Sequence, residues 1–426
     1  MFEKLMSVDP AAGEAALIEH IAEMETFKSA AAASQARAAA ALDDSRRAAE
    51  ADAGVVASRR GRGVATEIAL ARRDSPARGS RHLGFAKALV HEMPHTLAAL
   101  ESGALSEWRA TLIVRESACL DLEDRRTLDR ELCADATNLE GMGDARVAAA
   151  AKTIAYRLDP HAVVDRAAHA QKDRTVSIRP APDTMTYLTA LLPVAQGVAV
   201  YAALRRAADT TFDDRSRGQV MADTLVERIT GTPAQVPTPI AVNVVISDQA
   251  LFAEDPSPAV IDGYGPVPAA VARNLVRTAV ADRRSRATLR RLYARPTTGA
   301  LVALESRSRR FPRGLATFIG LRDQRCRTPY CDAPIRHRDH AHPWARGGPT
   351  TAENGLGDCE HCNYAKQAAG WRVTAGTRNG RHTAEFTTPT GAHHQSTAPP
   401  LPGYPRIEIS EVETAIGITL INLHAA

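Results

Sequence analysis

The chain has 426 residues, 44 % of them apolar, enough for two or three domains with real cores. Aromatic residues make up only 4 %, so those cores must be built mainly from Ala, Leu and Val. No stretch approaches the ~18 uninterrupted apolar residues of a membrane span, and the opening MFEKLMSVDPAAGEAAL lacks a basic segment followed by an apolar run, so a cytoplasmic location is expected.

From Ala11 to about Ala53 strong helix formers carry apolar positions such as Leu17, Ile21 and Met24 at intervals of three and four. This pattern predicts a long helical arm within residues 1–58. The Arg59-Arg60-Gly61-Arg62-Gly63 break opens a helix-rich α+β region, residues 59–300. Its first part predicts short helices punctuated by Pro94 and Gly103, with Ser75 as an N-cap before Pro76. Such helices form either a bundle or a DNA-reading unit. Cys119 and Cys133 fall on helical patterns and read as small buried hydrophobes.

RTVSIRP (174–180) and IAVNVVIS (240–247) alternate and are β-branched, predicting strands. Between them, MTYLTALLPVAQGVAVYAALRRA (185–207) and GQVMADTLVERITG (218–231) predict helices. A further helix is predicted over 268–295, with Arg273, Arg277, Arg283, Arg284, Arg286, Arg290 and Arg291 on an exposed face that is either solvated or phosphate-tracking. From Glu305 to Arg346 ten Arg stand against four acidic residues, a local charge of +6 that exceeds the +4 of the whole chain.

Residues 301–388 hold the chemistry. Cys326 and Cys331 are separated by four residues and Cys359 and Cys362 by two, a spacing that in a reducing compartment favours metal over disulfide. Four thiolates can meet one tetrahedral Zn²⁺ at about 2.3 Å, a closed and therefore structural site. Between the pairs lie Asp339-His340, Gly347-Gly348, Thr350 and Asn354, and Asn363 follows the last Cys. Phosphodiester hydrolysis needs a base and a cation. His340 suits the base, and Asp339, turned to the opposite face of a strand, suits the cation. WRVTAG, the turn Asn379-Gly380 and HTAEFTT predict a β-hairpin. TTPTGAHHQSTAPPLPGYP (387–405) reads as a linker, and residues 389–426 as linker and C-terminal tail.

The stretch DHAHPWARGG, then Asn354, then CEHCNYAK resembles, in order, the motif series of the HNH endonucleases. The resemblance covers about 50 residues of the module expected over 301–388 and implies a ββα-metal fold that cuts DNA. It also implies that Asn363 completes the cation site from the first turn of a helix and that Asn354 stabilises the loop orienting the base. Many relatives carry His at the position of Asn363; the all-oxygen pair Asp339 and Asn363 favours Mg²⁺ or Mn²⁺. Arg336, Arg338, Arg346 and Lys366 are expected at the phosphate backbone, Trp344 and Trp371 in the module's core, and His342 and His361 at the surface.

Upstream, RTVSIRPAPDTMTYLTALLPVAQGVAVYAAL, DDRSRGQVMADTL and IDGYGPVPAAVARNL resemble the domain of unknown function 222, the 13E12-repeat family, which precedes an HNH module in many actinobacterial proteins. The expected fold is α+β: a mainly helical N-terminal and central region, then a small ββα-metal module with a Cys₄ zinc site. The expected function is metal-dependent DNA hydrolysis. The alternative is a zinc-stabilised DNA-binding protein without cleavage.

Overall fold

The computed structural model describes residues 8, 12–211, 213–234, 236, 244–252, 255–261, 264–281 and 309–401. It is mixed α and β, with a helical N-terminal region and small antiparallel sheets towards the C-terminus. No helix among the described residues is long and apolar enough to cross a membrane.

The N-terminal region is a bundle of α1 (Glu14–Asp52), α2 (Val64–Arg72), α3 (Pro76–His91), α4 (Pro94–Glu101), α5 (Glu107–Ser117), α6 (Leu122–Cys133), α7 (Asp144–Leu158) and α8 (Pro160–Ala170). The expected arm is one helix whose second half enters the bundle core. Ala32, Ala33, Ala36 and Ala40 form its buried stripe and pack with Leu89, Leu100, Ile113, Leu128 and Val147. Small side chains at i, i+4 spacing let the neighbouring backbones approach, which suits a chain poor in aromatics. Ser75 caps α3 by accepting from Arg78 N, with Pro76 at the first helical position. Buried Asp129 on α6 caps α4 from a distance, accepting from the backbone N–H groups of His95 and Thr96 at 2.8 and 2.7 Å. Cys133 is buried as expected, and burial pushes its thiol up to about 12.

In the middle region β1 (Thr175–Pro180) pairs antiparallel with β2 (Thr186–Leu191), followed by the helical hairpin of α9 (Val194–Thr210) and α10 (Arg217–Thr230). The predicted helix from Met185 is therefore corrected: it begins at Val194. Thr186, Tyr187 and Leu188 instead lie opposite Pro180, Arg179 and Ile178 in the ladder, and Arg179 stacks over the Tyr187 ring at 4.0 Å. The short strands β3 (Val244–Val245), β4 (Ala259–Ile261) and β5 (Gly265–Val267) form a second sheet with α11 (Asp248–Phe252) and α12 (Ala269–Ala281) beside it. Residues 240–243 of the predicted strand and 282–295 of the predicted basic helix, with its last five Arg, lie outside the described residues.

The C-terminal module contains α13 (Arg313–Asp323), β6 (His337–His340), β7 (Gly355–Asp358), α14 (Glu360–Ala365) and a three-stranded sheet of β8 (Arg372–Arg378), β9 (Arg381–Thr387) and β10 (His393–Thr397). Asn379 and Gly380 both have positive φ, 48° and 70°, as the β8–β9 hairpin turn requires. The segment expected as a linker contributes β10, which pairs with β9 from His393↔Thr387 to Thr397↔Thr383. The module touches the bundle directly. Thr66 Oγ1 lies 3.2 Å from His361 Nε2, and Glu67 accepts from Thr390 N at 3.0 Å.

Asp323 ties the module together. Its side chain is fully buried between Arg322 and Arg327, with closest contacts of 2.7 and 2.8 Å, and it accepts from Gly357 N on β7 at 2.7 Å. Burial alone would raise its carboxyl, but the two guanidiniums outweigh this and hold it below its usual value. Arg327 also donates to His382 Nδ1 at 3.1 Å, while His382 Nε2 lies 2.7 Å from Glu353 O. These partners require a neutral imidazole. Burial, with Arg322 adding to it, lowers the His382 pKa to about 4.

A depressed His pKa means that the unfolded chain binds the extra proton between roughly pH 4 and 6.5, so stability falls as pH drops through that window. Equilibrium urea unfolding should show the module losing about 2 kcal/mol between pH 7 and pH 5 through this residue. His382→Gln should lack that increment. The thiolates also weaken in acid, so the difference between parent and variant carries the test; equal acid losses would contradict it.

Candidate functional site

Cys326, Cys331, Cys359 and Cys362 are all buried, and their sulfur atoms lie within 4.8 Å of one another. Tetrahedral Zn–S bonds of about 2.3 Å place neighbouring sulfurs about 3.8 Å apart. Cys331 and Cys359 stand at 3.9 Å, so the cluster is compatible with a structural zinc site. Local folding explains the convergence. Cys326 N donates to Ala333 O and closes the first knuckle, and Cys359 caps α14, accepting from Cys362 N at 3.4 Å. Contacts among the sulfurs, led by Cys326, lower the Cys359 thiol, while those led by Cys331 and by Cys326 raise the thiols of Cys326 and Cys362.

The second half of the site is set by strand register. His340 pairs with Gly355, Asp339 with Leu356, Arg338 with Gly357 and His337 with Asp358. Side chains alternate along each strand, so Asp339 and Asp358 share one face while His340 and Arg338 share the other. On the latter face a Cβ at Gly355 would stand 2.4 Å from Ile319 Cδ1, so glycine there lets β7 lie against α13.

On the Asp339 face, α14 delivers Lys366. Its ammonium donates to Asp358 at 2.7 Å and to the His340 carbonyl at 3.0 Å, and pairs with Asp339 at 3.2 Å. Lys366 is 7 % exposed, so the side chain expected at phosphate turns inward. Partial burial works against the Asp339 carboxylate, but Lys366 holds its pKa below the usual value. Asp358 is wholly buried, and that burial raises its pKa despite Lys366. The sequence reading missed Asp358; the signal was a carboxylate ending an otherwise apolar strand, GLGD. The Oδ1 atoms of Asp358 and Asn363 are buried without a hydrogen-bond partner.

His340 is 5 % exposed, with its ring 4.6 Å from Phe311. Nε2 lies 2.9 Å from Thr350 Oγ1, and Nδ1 lies 3.6 Å from Asp339 Oδ1. Burial lowers the imidazole pKa, against the pull of Asp339, and favours the neutral ring. Buried Asn354 clamps the intervening loop. Its Oδ1 accepts from His342 N at 2.9 Å, and its Nδ2 donates to His342 O and Pro349 O at 3.0 and 2.8 Å. Gly348 closes the same loop so tightly that a Cβ there would stand 1.9 Å from His342 O.

Of the local Arg excess, Arg322 and Arg327 are spent inside the module, whereas Arg336, Arg338 and Arg346 are exposed. Trp371 is buried, but its indole lies against Gly63 of the bundle rather than within the module's own core. Trp344 is 46 % exposed, because it rides a single turn, Trp344–Arg346, at the tip of the clamped loop. His342 and His361 have exposed side chains.

One zinc per chain is expected, and Cys359→Ser should lose most of it and destabilise the module, since the site supplies folding energy. Elemental analysis together with thermal unfolding checks this. Full zinc content and an unchanged transition in the variant would contradict the cluster assignment.

No curated protein and no solved structure matches the chain. The family described as Domain of unknown function (DUF222) matches residues 18–323, from the first helix of the bundle through the end of α13. That span is most of the described chain and stops just before the first Cys of the cluster. The chain belongs to the DUF222 family.

Proposed function

We propose that the C-terminal module is a metal-dependent HNH endonuclease that hydrolyses phosphodiester bonds of DNA. One observation carries the reading: Asp339 and His340 end β6 on opposite faces, and the helix packed on β6 carries Asn363, whose carboxamide oxygen is buried without a hydrogen-bond partner. A buried oxygen without a partner costs about 1–3 kcal/mol. A hard cation on Asp339 and Asn363 would satisfy it, and the oxygen donors fit Mg²⁺ or Mn²⁺. When bound there, such a cation supplies charge neutralisation for the phosphoryl and leaving oxygens.

The chain's own residues do the rest. His340, held neutral by burial, accepts a proton from water. The water oxygen bonds to phosphorus as the bond from phosphorus to the leaving sugar oxygen breaks. Asn354 and Gly348 keep the loop after His340 in one shape, and Lys366 orients Asp339. Exposed Arg336, Arg338 and Arg346 supply backbone affinity without sequence information.

A second reading is a zinc-stabilised DNA-binding module without cleavage. It is favoured by the low exposure of His340 and by the Lys366 ammonium standing 3.2 Å from Asp339.

Duplex oligonucleotide cleavage across a cation titration separates the two. His340→Ala should bind duplex as the parent does and cut about two to four orders of magnitude more slowly. Asp339→Ala should need more cation and recover partly in Mn²⁺. His342→Ala, whose side chain is exposed, is the control. His340→Ala cutting at the parental rate would overturn the base assignment, and a parent that binds but never cuts would establish the second reading.

A further inference from the structure

We propose that Trp344 is a stacking platform for an unpaired nucleobase, so that the module takes single-stranded or locally opened DNA in preference to intact duplex. The inference rests on the reading of DNA as the ligand, which cleavage and binding without cleavage share, and it names the form of DNA preferred.

The exposure of this side chain is unusual for the chain that carries it. Tryptophan has a large apolar surface to bury, and the chain holds only three. Trp371 is buried, and Trp108 on α5 donates its indole N–H to Asp144 at 3.0 Å. Trp344 leaves 46 % of its surface to solvent, and its indole has no hydrogen-bond partner among the described residues. The module's apolar cluster, Ala341, Leu356, Val373, Ala384 and Phe386, closes without it.

The ring stands on a fixed support. Arg346 N and Gly348 N both donate to Pro343 O, at 2.9 and 3.1 Å, and Gly347 N donates to Trp344 O at 3.0 Å. Gly347 makes this turn in the left-handed region, at φ 90°. Asn354 holds the N–H and the carbonyl of His342, two residues before the ring. A turn closed at so many points loses little freedom when a ligand settles on it.

The neighbouring chemistry selects the occupant. Residues 342–347 are all exposed, and the Arg346 guanidinium, two residues after the ring, pairs with no carboxylate among the described residues. The exposed Arg336 and Arg338 beside or on β6 are likewise without an ion pair there. An aromatic face among unneutralised guanidiniums fits a ligand with flat π faces on an anionic backbone, which is a nucleic-acid strand. One ring among His, Pro, Ala, Arg and Gly is too little for a stable protein interface, which buries about 800 Å² per partner. Within a regular duplex each base face is covered by its neighbours, so only an unstacked base can lie on the indole. Trp344 follows His340 by four residues on the loop that leaves the candidate site, which puts the preference at that site.

The test measures binding by the full zinc-loaded chain without added Mg²⁺ or Mn²⁺, so that cleavage plays no part. Three labelled oligonucleotides of equal length serve as probes: a single strand, an abasic strand with the same sugar–phosphate backbone, and a duplex. The parent should bind the single strand most tightly. Trp344→Ala should weaken that binding about 10-fold or more and leave the abasic strand and the duplex unchanged. Trp344→Phe should recover part of the loss, whereas Trp344→Leu, apolar but without a π face, should not. In a Trp108→Phe chain the single strand should quench the indole fluorescence and the abasic strand should not. Zinc content and circular dichroism confirm that each variant folds. A parent that binds the abasic strand as tightly as the complete one, or a Trp344→Ala or Trp344→Leu chain that matches the parent on the single strand, overturns the role of Trp344 and leaves DNA as the ligand. A parent that binds none of the three overturns the DNA reading and this role with it.

Discussion

The module's architecture depends on one buried carboxylate. Asp323 sits with no solvent access between Arg322 and Arg327 and reaches the Gly357 N–H on β7. Each guanidinium is then anchored elsewhere: Arg322 to the carbonyls of Ala352 and Gly355, Arg327 to His382 and to the Ser396 carbonyl on β10. Removing the carboxylate would strand two buried positive charges, which is far costlier than losing a surface pair. Helix α13, the first Cys knuckle, β7 and the β8–β9–β10 sheet are therefore one cooperative unit.

Fixing β7 fixes β6 by register, and the register distributes the chemistry. One face of the ribbon receives Asp339 and Asp358, which together hold the Lys366 ammonium in a nearly dry environment. The other receives His340, enclosed by Phe311 and Thr350. The Cys cluster anchors both ends of this unit, since Cys359 directly follows β7 and caps α14. Docking on the bundle through Thr66 and Glu67 joins this unit to the N-terminal helices, so the exposed Arg336, Arg338 and Arg346 are carried on a framed surface rather than on a loose tether.

Local signals were legible in the sequence where a residue's own chemistry sets its role. Ser75-Pro76 announced a helix start, Asn379-Gly380 a hairpin, and the two Cys pairs a shared cluster. Non-local partners were not legible. Tyr187 and Leu188 belong to β2 only because β1 lies opposite, and the polar, Thr-rich segment at 393–397 becomes β10 only because β9 offers an edge. Lys366 looked like a phosphate contact because Asp358 is eight residues away in sequence and meets it only in the fold. Trp344 looked like core because a single sequence does not show that the Asn354 clamp carries it to a loop tip.

The family of the chain names no chemistry, so the functional account stands on the geometry around β6. It makes one central claim: Asp339, His340 and Asn363 together support hydrolysis of DNA that requires a divalent cation. Incubation of the purified, zinc-loaded parent with supercoiled plasmid in Mg²⁺, Mn²⁺ or EDTA tests it most directly. The account predicts nicked or linear product with either cation and none in EDTA. Intact supercoiled plasmid in every cation, from protein that retains zinc and binds the DNA, would contradict it.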